Sequence, residues 1–222
     1  MPDKVVRPSS VINGRDRDVL NVALPFYVRP GGRVLDCTAN TRKMWRGVEW
    51  TGEVVYSDID ASHNPDRVCS WDATPFSDAS FDALVFDPPH LPTAAATCAG
   101  LKQYKDDYGL RRGEAHESGP ASVFAAFLAE ACRLLRPDGV VLAKLKDYVH
   151  NHRYQWTLAA WVGAVQMADG MTPCDLIVKV DPCGGNLKSG RWKQAHHVRN
   201  SHCWWAVARK GRCEPRINGG GE

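Results

Sequence analysis

The chain has 222 residues, of which 44% are hydrophobic and 24% are charged, and its formal net charge is +3. These values are typical of one globular domain with a substantial core, and they exclude a wholly disordered chain. The longest nearly apolar run, residues 157–168, is too short to cross a bilayer, and no apolar signal region follows residues 1–4. A cytoplasmic protein without membrane contacts is therefore expected.

Short apolar strands alternate with amphipathic segments along the chain. An amphipathic stretch at residues 16–28 precedes the first predicted strand, at 33–36, and helical periodicity is found at 121–135 and 154–167. Further strands are predicted at residues 53–57, 67–70, 81–86, 140–145, 175–180 and 203–208. This alternation predicts an α/β domain with a parallel, doubly wound sheet.

Two long connections, residues 91–120 and 181–202, follow predicted strand ends. Long loops in compact domains are usually functional, and open α/β sheets bind ligands beyond the carboxyl ends of their strands. We therefore expect both connections to be substrate-side loops of a single domain, residues 1–214. The glycine-rich residues 215–222 are expected to form a disordered tail.

Positive charge is concentrated late in the chain. Residues 179–216 contain nine Lys and Arg residues and two acidic residues, a net charge of +7, whereas the rest of the chain sums to −4. This asymmetry favours a polyanionic partner, although a solvated basic surface would show the same pattern. Eight scattered cysteines without a C-x-x-C pair indicate free thiols. No metal site is expected, because no common zinc site has the spacing of His196, His197, His202 and Cys203.

Acidic residues end successive predicted strands. Asp36, Asp58 and Asp87 end three strands, and Asp72 follows another, so a parallel sheet would bring all four to one rim. An acidic residue at the end of the second strand is the usual ligand of a ribose hydroxyl, which favours Asp58, with Asp60 as its competitor. Asp72 would accept a hydrogen bond from an adenine amino group. Any single Asp in such a place is more often a cap or a turn residue, but the ordered set favours a nucleoside cofactor.

The segment Asp87-Pro88-Pro89-His90 follows a strand that is expected to be buried. Two prolines remove two backbone N–H groups and fix the chain, which leaves exposed carbonyls beside an Asp acceptor. Such a platform suits a planar amine held by two acceptors, with the flat side chain of His90 stacking on its ring. Four residues alone are weak evidence for an amine-binding site. The position of the motif directly after this strand makes the evidence stronger.

With these motifs in this order, the chain resembles the class I S-adenosylmethionine-dependent methyltransferases. It is similar to those that methylate the exocyclic amines of nucleic-acid bases, which carry a D/N/S-P-P-aromatic motif after the fourth strand. The resemblance spans residues 15–210. It implies a Rossmann-like methyltransferase fold, with a mostly parallel seven-stranded sheet and a terminal antiparallel hairpin. It also implies S-adenosyl-L-methionine as cofactor, bound by Asp36, Cys37, Thr38, Ala39, Asn40, Asp58, Ile59, Asp72 and Ala73.

Two positions depart from the pattern of that family. Ala39 and Asn40 stand where glycines usually follow the acidic residue, and Asn40 is expected to replace a turn glycine because Asn tolerates left-handed backbone. His90 stands where Tyr, Phe or Trp is commoner, and it offers less π surface and a side chain that titrates near neutral pH. The cofactor loop and the stacking position are therefore the altered parts of the motif set.

The resemblance implies methyl transfer to an exocyclic amine that is held by Asp87 and the Pro88 carbonyl, with the base flipped out or unpaired. Adenine N6 in DNA is the favoured target, and cytosine N4 in DNA and guanine N2 in RNA remain open. Recognition is expected from the long loops or from a protein partner. The residues expected to bind nucleic acid are Lys188, Arg191, Lys193 and Arg199. The alternatives are a catalytically inactive nucleic-acid-binding protein on the same fold and a methyltransferase for a small or protein amine.

Overall fold

The structure, a computed structural model, describes residues 7–88, 120–150, 153–181 and 200–213. The helices in these ranges are α1 (Asp16–Tyr27), α2 (Pro120–Leu134) and α3 (Thr157–Met167), with short 3₁₀ turns at Lys43–Trp45 and Ala61–His63. The strands in the same ranges are β1 (Val11–Asn13), β2 (Val34–Asp36), β3 (Val54–Asp58), β4 (Arg67–Val68), β5 (Phe81–Phe86), β6 (Leu135–Leu145), β7 (Tyr148–His150), β8 (Arg153–Gln155), β9 (Met171–Val180) and β10 (His202–Lys210).

Within the described ranges, one sheet has eight strands in the order β1-β9-β10-β6-β5-β2-β3-β4. Its strands pair in parallel except around β10, which runs antiparallel to both β6 and β9. The parallel sheet and the terminal antiparallel pair, β9 with β10, confirm the predicted fold class. The predicted count of seven strands is wrong, because β1 adds an eighth by pairing in parallel with β9. A strand of three residues is too short to show an alternating pattern.

The sheet is covered on both faces. On β5, Leu84 and Phe86 belong to one buried cluster, which also contains residues of α2 and α3, and Ala83 and Val85 belong to a second cluster with residues of α1. The Phe86 ring stacks on Phe127 of α2, with ring centroids 3.7 Å apart. A strand that is buried on both faces is continuously apolar, which explains why β5 occupies the predicted residues 81–86.

Several element boundaries differ from the prediction, and β9, for example, begins at Met171 rather than at residue 175. The predicted helix at 154–167 begins at Thr157, because residues 153–155 pair with β7 as a small hairpin. Asp147 fixes this start by accepting hydrogen bonds from Thr157 Oγ1 at 2.8 Å and from Leu158 N at 3.2 Å. The strand predicted at 140–145 begins earlier, because Leu135 pairs with Phe81 and the chain then passes through a left-handed residue, Asp138 (φ 62°).

Nearly all of the two predicted substrate-side loops, and the tail at 215–222, lie outside the described residues. Among the described helices, none combines the length and the apolar character that a membrane crossing requires.

Candidate active site

The loop after β2 is held between the ends of its two neighbouring strands. Because β3, β2 and β5 are parallel neighbours, their carboxyl ends meet at one edge of the sheet. Three hydrogen bonds fix the loop there: Cys37 N donates to Val85 O at 3.0 Å, Ala39 N donates to Ser57 O at 3.0 Å, and Asp87 N donates to Thr38 Oγ1 at 2.8 Å. The structure therefore brings the predicted cofactor loop and the predicted amine-binding platform into direct contact.

Asn40 has left-handed backbone, with φ of 45°, as the sequence predicts. Its N–H donates to Asp58 Oδ2 at 2.6 Å, and its side-chain oxygen accepts from Thr41 N at 2.6 Å. Asn40 thus takes the left-handed turn position that a glycine would usually take, and its side chain also closes the turn.

The Asp58 carboxylate lies under the loop and is 7% exposed. Its two oxygens accept from Asn40 N and from Asp60 N, the latter at 2.9 Å, and His63 Nδ1 lies 3.6 Å from Oδ2. Asp60 is half-buried, and its hydrogen bonds from Ser62 lower its pKa. The two candidates for the ribose therefore differ in their surroundings: Asp58 is buried and bonded to the loop, and Asp60 caps the short turn at Ala61–His63.

Asp36 is fully buried at the end of β2. It accepts from Trp45 Nε1 at 2.6 Å and from Thr38 N at 3.1 Å. Burial raises its pKa to about 7 although these hydrogen bonds oppose the rise, and the charges of Asp87 and Asp58 raise it further. The charges of Asp58 and Asp87 therefore act on the ionisation of Asp36 from the neighbouring strand ends.

The predicted adenine-binding residues, Asp72 and Ala73, are exposed, and Ser70 Oγ donates to the Asp72 carboxylate. The next residue, Thr74, is fastened to helix α2. Its N and Oγ1 both donate to Glu130 Oε1, at 2.9 and 2.7 Å, and Arg133 donates to the same carboxylate at 2.6 Å. Sequence reasoning missed this anchor of the Asp72 loop.

Asp87 begins a row of alternating charges that crosses the edge of the sheet. Its Oδ2 accepts from Lys144 Nζ at 2.8 Å. The row continues from Lys144 Nζ to Asp16 Oδ2 at 3.1 Å, from Asp16 Oδ1 to Lys179 Nζ at 2.9 Å, and from Lys179 Nζ to Asp181 Oδ1 at 2.9 Å. We call these five residues the ion-pair chain. It joins the ends of β5, β6 and β9 to the start of α1.

One feature of the sequence indicates that an ion pair is present. Lys144 interrupts the otherwise apolar run at residues 140–145 of β6, and a lysine in a buried strand needs a charged partner. Its partners, Asp16 and Asp87, are far away in sequence and could not be identified without the fold.

The other predicted site residues divide into two groups. Ile59 is 54% exposed beside Asp58, and Pro88 is buried directly after Asp87. The remaining ones lie outside the described residues: Pro89, His90, Lys188, Arg191, Lys193 and Arg199.

No family model matches the sequence, and no curated protein matches it. Solved structures do match. The 1,6-didemethyltoxoflavin-N1-methyltransferase of Burkholderia thailandensis, solved with 1,6-didemethyltoxoflavin and S-adenosylhomocysteine, is 15% identical with a TM-score of 0.56, over 89% of this chain and 79% of that one. TrmN from Thermus thermophilus is 17% identical with a TM-score of 0.52, over 87% of this chain and 48% of TrmN, so the chain spans about half of its length.

A Haloferax volcanii methyltransferase, solved in complex with the Trm112 methyltransferase activator, is 16% identical with a TM-score of 0.53, over 88% of each chain. Identities this low establish the fold and leave the substrate open. The chain has the Rossmann-like fold of the S-adenosylmethionine-dependent methyltransferases.

Proposed function

We propose that this protein transfers a methyl group from S-adenosyl-L-methionine to the exocyclic amino group of a nucleic-acid base, with adenine N6 in DNA as the favoured target. The observation that carries the proposal is the hydrogen bond between Asp87 N and Thr38 Oγ1. It fastens the acceptor platform, Asp87-Pro88, directly to the predicted cofactor loop. A methyltransferase needs this proximity, because cofactor and amine must meet at one carbon atom.

The residues at the sheet edge fit the cofactor. Asp36 and Asp58 place two buried carboxyl groups at the edge of the sheet where a sulfonium cation would be stabilised. The exposed Ile59 and Asp72 offer an apolar face and an acceptor for an adenine ring. When bound, S-adenosylmethionine supplies a methyl group that its sulfonium has already activated. Structural neighbours solved with S-adenosylhomocysteine or sinefungin support this cofactor.

The protein's own contribution is to position the amine. The Asp87 carboxylate and the Pro88 carbonyl accept its two N–H groups, which turns the nitrogen lone pair toward the methyl carbon. Asp87 also helps the proton to leave after transfer. A base inside a duplex cannot reach this platform, so it must be flipped out or unpaired, and His90 would stack on it.

The nucleic-acid target rests on the basic segment 179–216 and on the type of platform. Cytosine N4 in DNA and guanine N2 in RNA satisfy the same two acceptors. A protein partner for target recognition is part of the proposal. The Trm112 complex of the Haloferax neighbour is a precedent for such a partner on this fold.

A second candidate function is methylation of a small heteroaromatic molecule. It is favoured by the Burkholderia neighbour, which was solved with 1,6-didemethyltoxoflavin bound. The basic segment has no role in that reaction, so this candidate predicts that its charges are dispensable. A third reading is an inactive nucleic-acid-binding protein on the same fold, for which the Asp87-Pro88 platform would be unnecessary.

The proposal is tested by radiolabelled methyl transfer from S-adenosylmethionine to DNA and to RNA, followed by identification of the methylated nucleoside. Asp87→Ala should lower the single-turnover rate roughly a hundredfold or more and leave cofactor affinity nearly unchanged, because the lost contacts act on the amine. Asp169→Ala is the matched control, since Asp169 is exposed before β9, at the opposite end of that strand from Asp181.

An active Asp87→Ala variant would refute the role of the platform. A wild-type protein that binds cofactor and nucleic acid but methylates neither DNA nor RNA would favour the inactive binder. Methyl transfer only to small heteroaromatic amines would favour the second candidate.

A further inference from the structure

Lys144 is held between two carboxylates at the end of β6. Its Nζ lies 2.8 Å from Asp87 Oδ2 and 3.1 Å from Asp16 Oδ2, and its side chain is 17% exposed. Burial alone would lower the pKa of Lys144, but the charges of Asp87 and Asp16 outweigh burial and raise it. Lys144 is therefore a fixed cation at every pH at which the protein would work.

We infer that Lys144 is the positioning residue of Asp87: its ammonium group holds one carboxylate oxygen and keeps the carboxylate ionised, so that Asp87 accepts hydrogen bonds from the substrate amine. The inference rests on the proposed function, in which Asp87 binds the amine. It adds a residue that sequence reasoning did not include in the site.

The need for this cation follows from the charges around Asp87. A protonated carboxylic acid donates a hydrogen bond, and it would oppose an amine that also donates. Asp36 and Asp87 repel each other, since the charge of Asp87 contributes to the raised pKa of Asp36. Two carboxylates at short range favour protonation of one of the two. The Lys144 cation beside Asp87 stabilises the ionised form of Asp87, so that Asp36 is the one that is protonated.

The remainder of the ion-pair chain fixes where the Lys144 ammonium sits. Asp16, at the start of α1, is its second carboxylate partner, and Lys179 of β9 contacts Asp16 in turn. From β10, Cys203 faces both lysines, and burial raises the pKa of its thiol to about 11, so that it is neutral. Among the described residues, the charged and titratable groups around Lys144 are thus Asp87, Asp16 and Cys203, with Lys179 and Asp181 beyond them.

The first test measures ionisation directly and requires no activity. The titration midpoint of the Asp87 carboxyl is followed by carbon-13 NMR, with its signal assigned by Asp87→Asn. We expect Lys144→Met to raise this midpoint by at least one pH unit, because an adjacent opposite charge lowers a carboxyl pKa by about one to three units. Lys144→Arg should leave it nearly unchanged.

Lys179→Met is the matched control. Lys179 is as well buried as Lys144 and contacts the same Asp16, but the structure does not pair it with Asp87. Its substitution should move the Asp87 midpoint much less than Lys144→Met does. Equal shifts in both variants, or no shift in a folded Lys144→Met variant, would overturn the inference.

If Lys144→Met does not fold, Lys144→Gln removes the charge but keeps a hydrogen-bond donor. The same rise of the Asp87 midpoint is expected. The wild-type protein provides an independent test of the role of Lys144. Its Asp87 midpoint must lie below the ordinary value for Asp, about 3.9. A wild-type midpoint at or above that value would also overturn the inference.

The second test separates positioning from a general structural role. At saturating cofactor, the Lys144→Met variant should lose single-turnover methyl-transfer rate as the pH falls through its raised Asp87 midpoint, so the acidic limb of its pH–rate profile should lie at least one pH unit above that of the wild type. Its rate should approach the wild-type rate at pH 8, where the carboxyl is ionised in both proteins. Lys144→Arg should restore the rate to within a few-fold of wild type. Cofactor affinity should change less than twofold in both variants. A loss of rate that is equal at every pH, with no displacement of the acidic limb, would indicate structural damage and contradict the inference.

Experiment can contradict the proposed function and the role of Lys144 separately. If the wild-type protein transfers no methyl group, the proposed function fails whatever the NMR result. If the wild type is active but the Asp87 midpoint does not respond to Lys144→Met, the inference about Lys144 fails and the proposed function stands.

Discussion

Asp36 combines complete burial with a hydrogen bond to an indole, and burial raises its pKa to about 7. In the unfolded chain the same carboxyl titrates near 3.8. Between these two values the folded protein binds a proton that the unfolded chain has lost. The stability that this proton provides is complete below the unfolded pKa and disappears as the pH rises through the folded pKa.

We therefore expect the free energy of unfolding to fall between pH 5 and pH 8, with roughly 2–3 kcal/mol of the fall caused by Asp36. In Asp36→Asn the side chain no longer titrates, so that the variant should lose correspondingly less stability over this interval. Urea unfolding of both proteins at pH 5 and pH 8 measures the difference. An identical pH dependence in the two proteins would contradict the raised pKa.

At the scale of elements, the loop that carries Asp72 depends on helix α2. Glu130 is 9% exposed and receives both hydrogen-bond donors of Thr74, while Arg133 neutralises its charge and also reaches Asp78. Burial opposes ionisation of Glu130, but the hydrogen bonds from Arg133 and Thr74 prevail and lower its pKa. The carboxylate thus connects the loop to the helix in its charged form.

Glu130→Ala should destabilise the protein by about 2–4 kcal/mol, because it removes the acceptor of Thr74 and the buried partner of Arg133. Asp78→Ala is the control, since Asp78 contacts the same arginine but its side chain is 78% exposed, and it should cost less than about 1 kcal/mol. Urea denaturation measures both. Similar losses would mean that burial of the carboxylate contributes nothing.

The sequence predicted elements where the residue pattern is long or continuous. Strand β5 occupies the predicted residues, and α2 is shifted by one residue at each end, because a buried strand and an amphipathic helix have clear periodicities. β1 and the β7–β8 hairpin consist of strands of three residues, which are too short for a pattern. Their pairing is decided by neighbours that are distant in sequence.

The same distinction applies to the candidate site. Asp36, Asp58 and Asp87 were predictable because strand order places strand ends together, and the left-handed turn at Asn40 follows from its own side chain. The pairing of Lys144 with Asp16 and Asp87 was not predictable. The pairing depends on how α1 packs against the sheet. No local sequence pattern predicts the distances from Lys144 to Asp16 and Asp87.

At the scale of the whole molecule, the ion-pair chain ends at Asp87 and Asp181. Asp87 lies shortly before the first long connection, residues 91–120, and Asp181 begins the second, residues 181–202. The second connection carries Lys188, Arg191 and Lys193. These positive charges come after Asp181, the acidic end of the ion-pair chain, in the sequence.

If these three residues neutralise phosphates of a single strand, their replacement by Ala should reduce the slope of log affinity against log salt concentration by about two in total, or about 0.7 for each contact. Binding to a single-stranded oligonucleotide at several salt concentrations measures the slope. Replacement of three exposed cations elsewhere, Arg7, Arg17 and Arg46, is the control. A triple variant that keeps the wild-type slope would identify the segment as a solvated surface.

The hydrogen bond of 2.6 Å from Trp45 Nε1 to Asp36 joins a fluorophore to a titrating proton. Indole emission responds to the charge beside the ring nitrogen, and here that charge changes near neutral pH. A cation that binds among the three strand-end carboxyls favours the ionised form of Asp36 and so acts on the Trp45 spectrum in the same direction as an increase in pH. We therefore expect the Trp45 emission, separated from that of the other tryptophans by comparison with Trp45→Phe, to report whether a cation occupies this edge of the sheet.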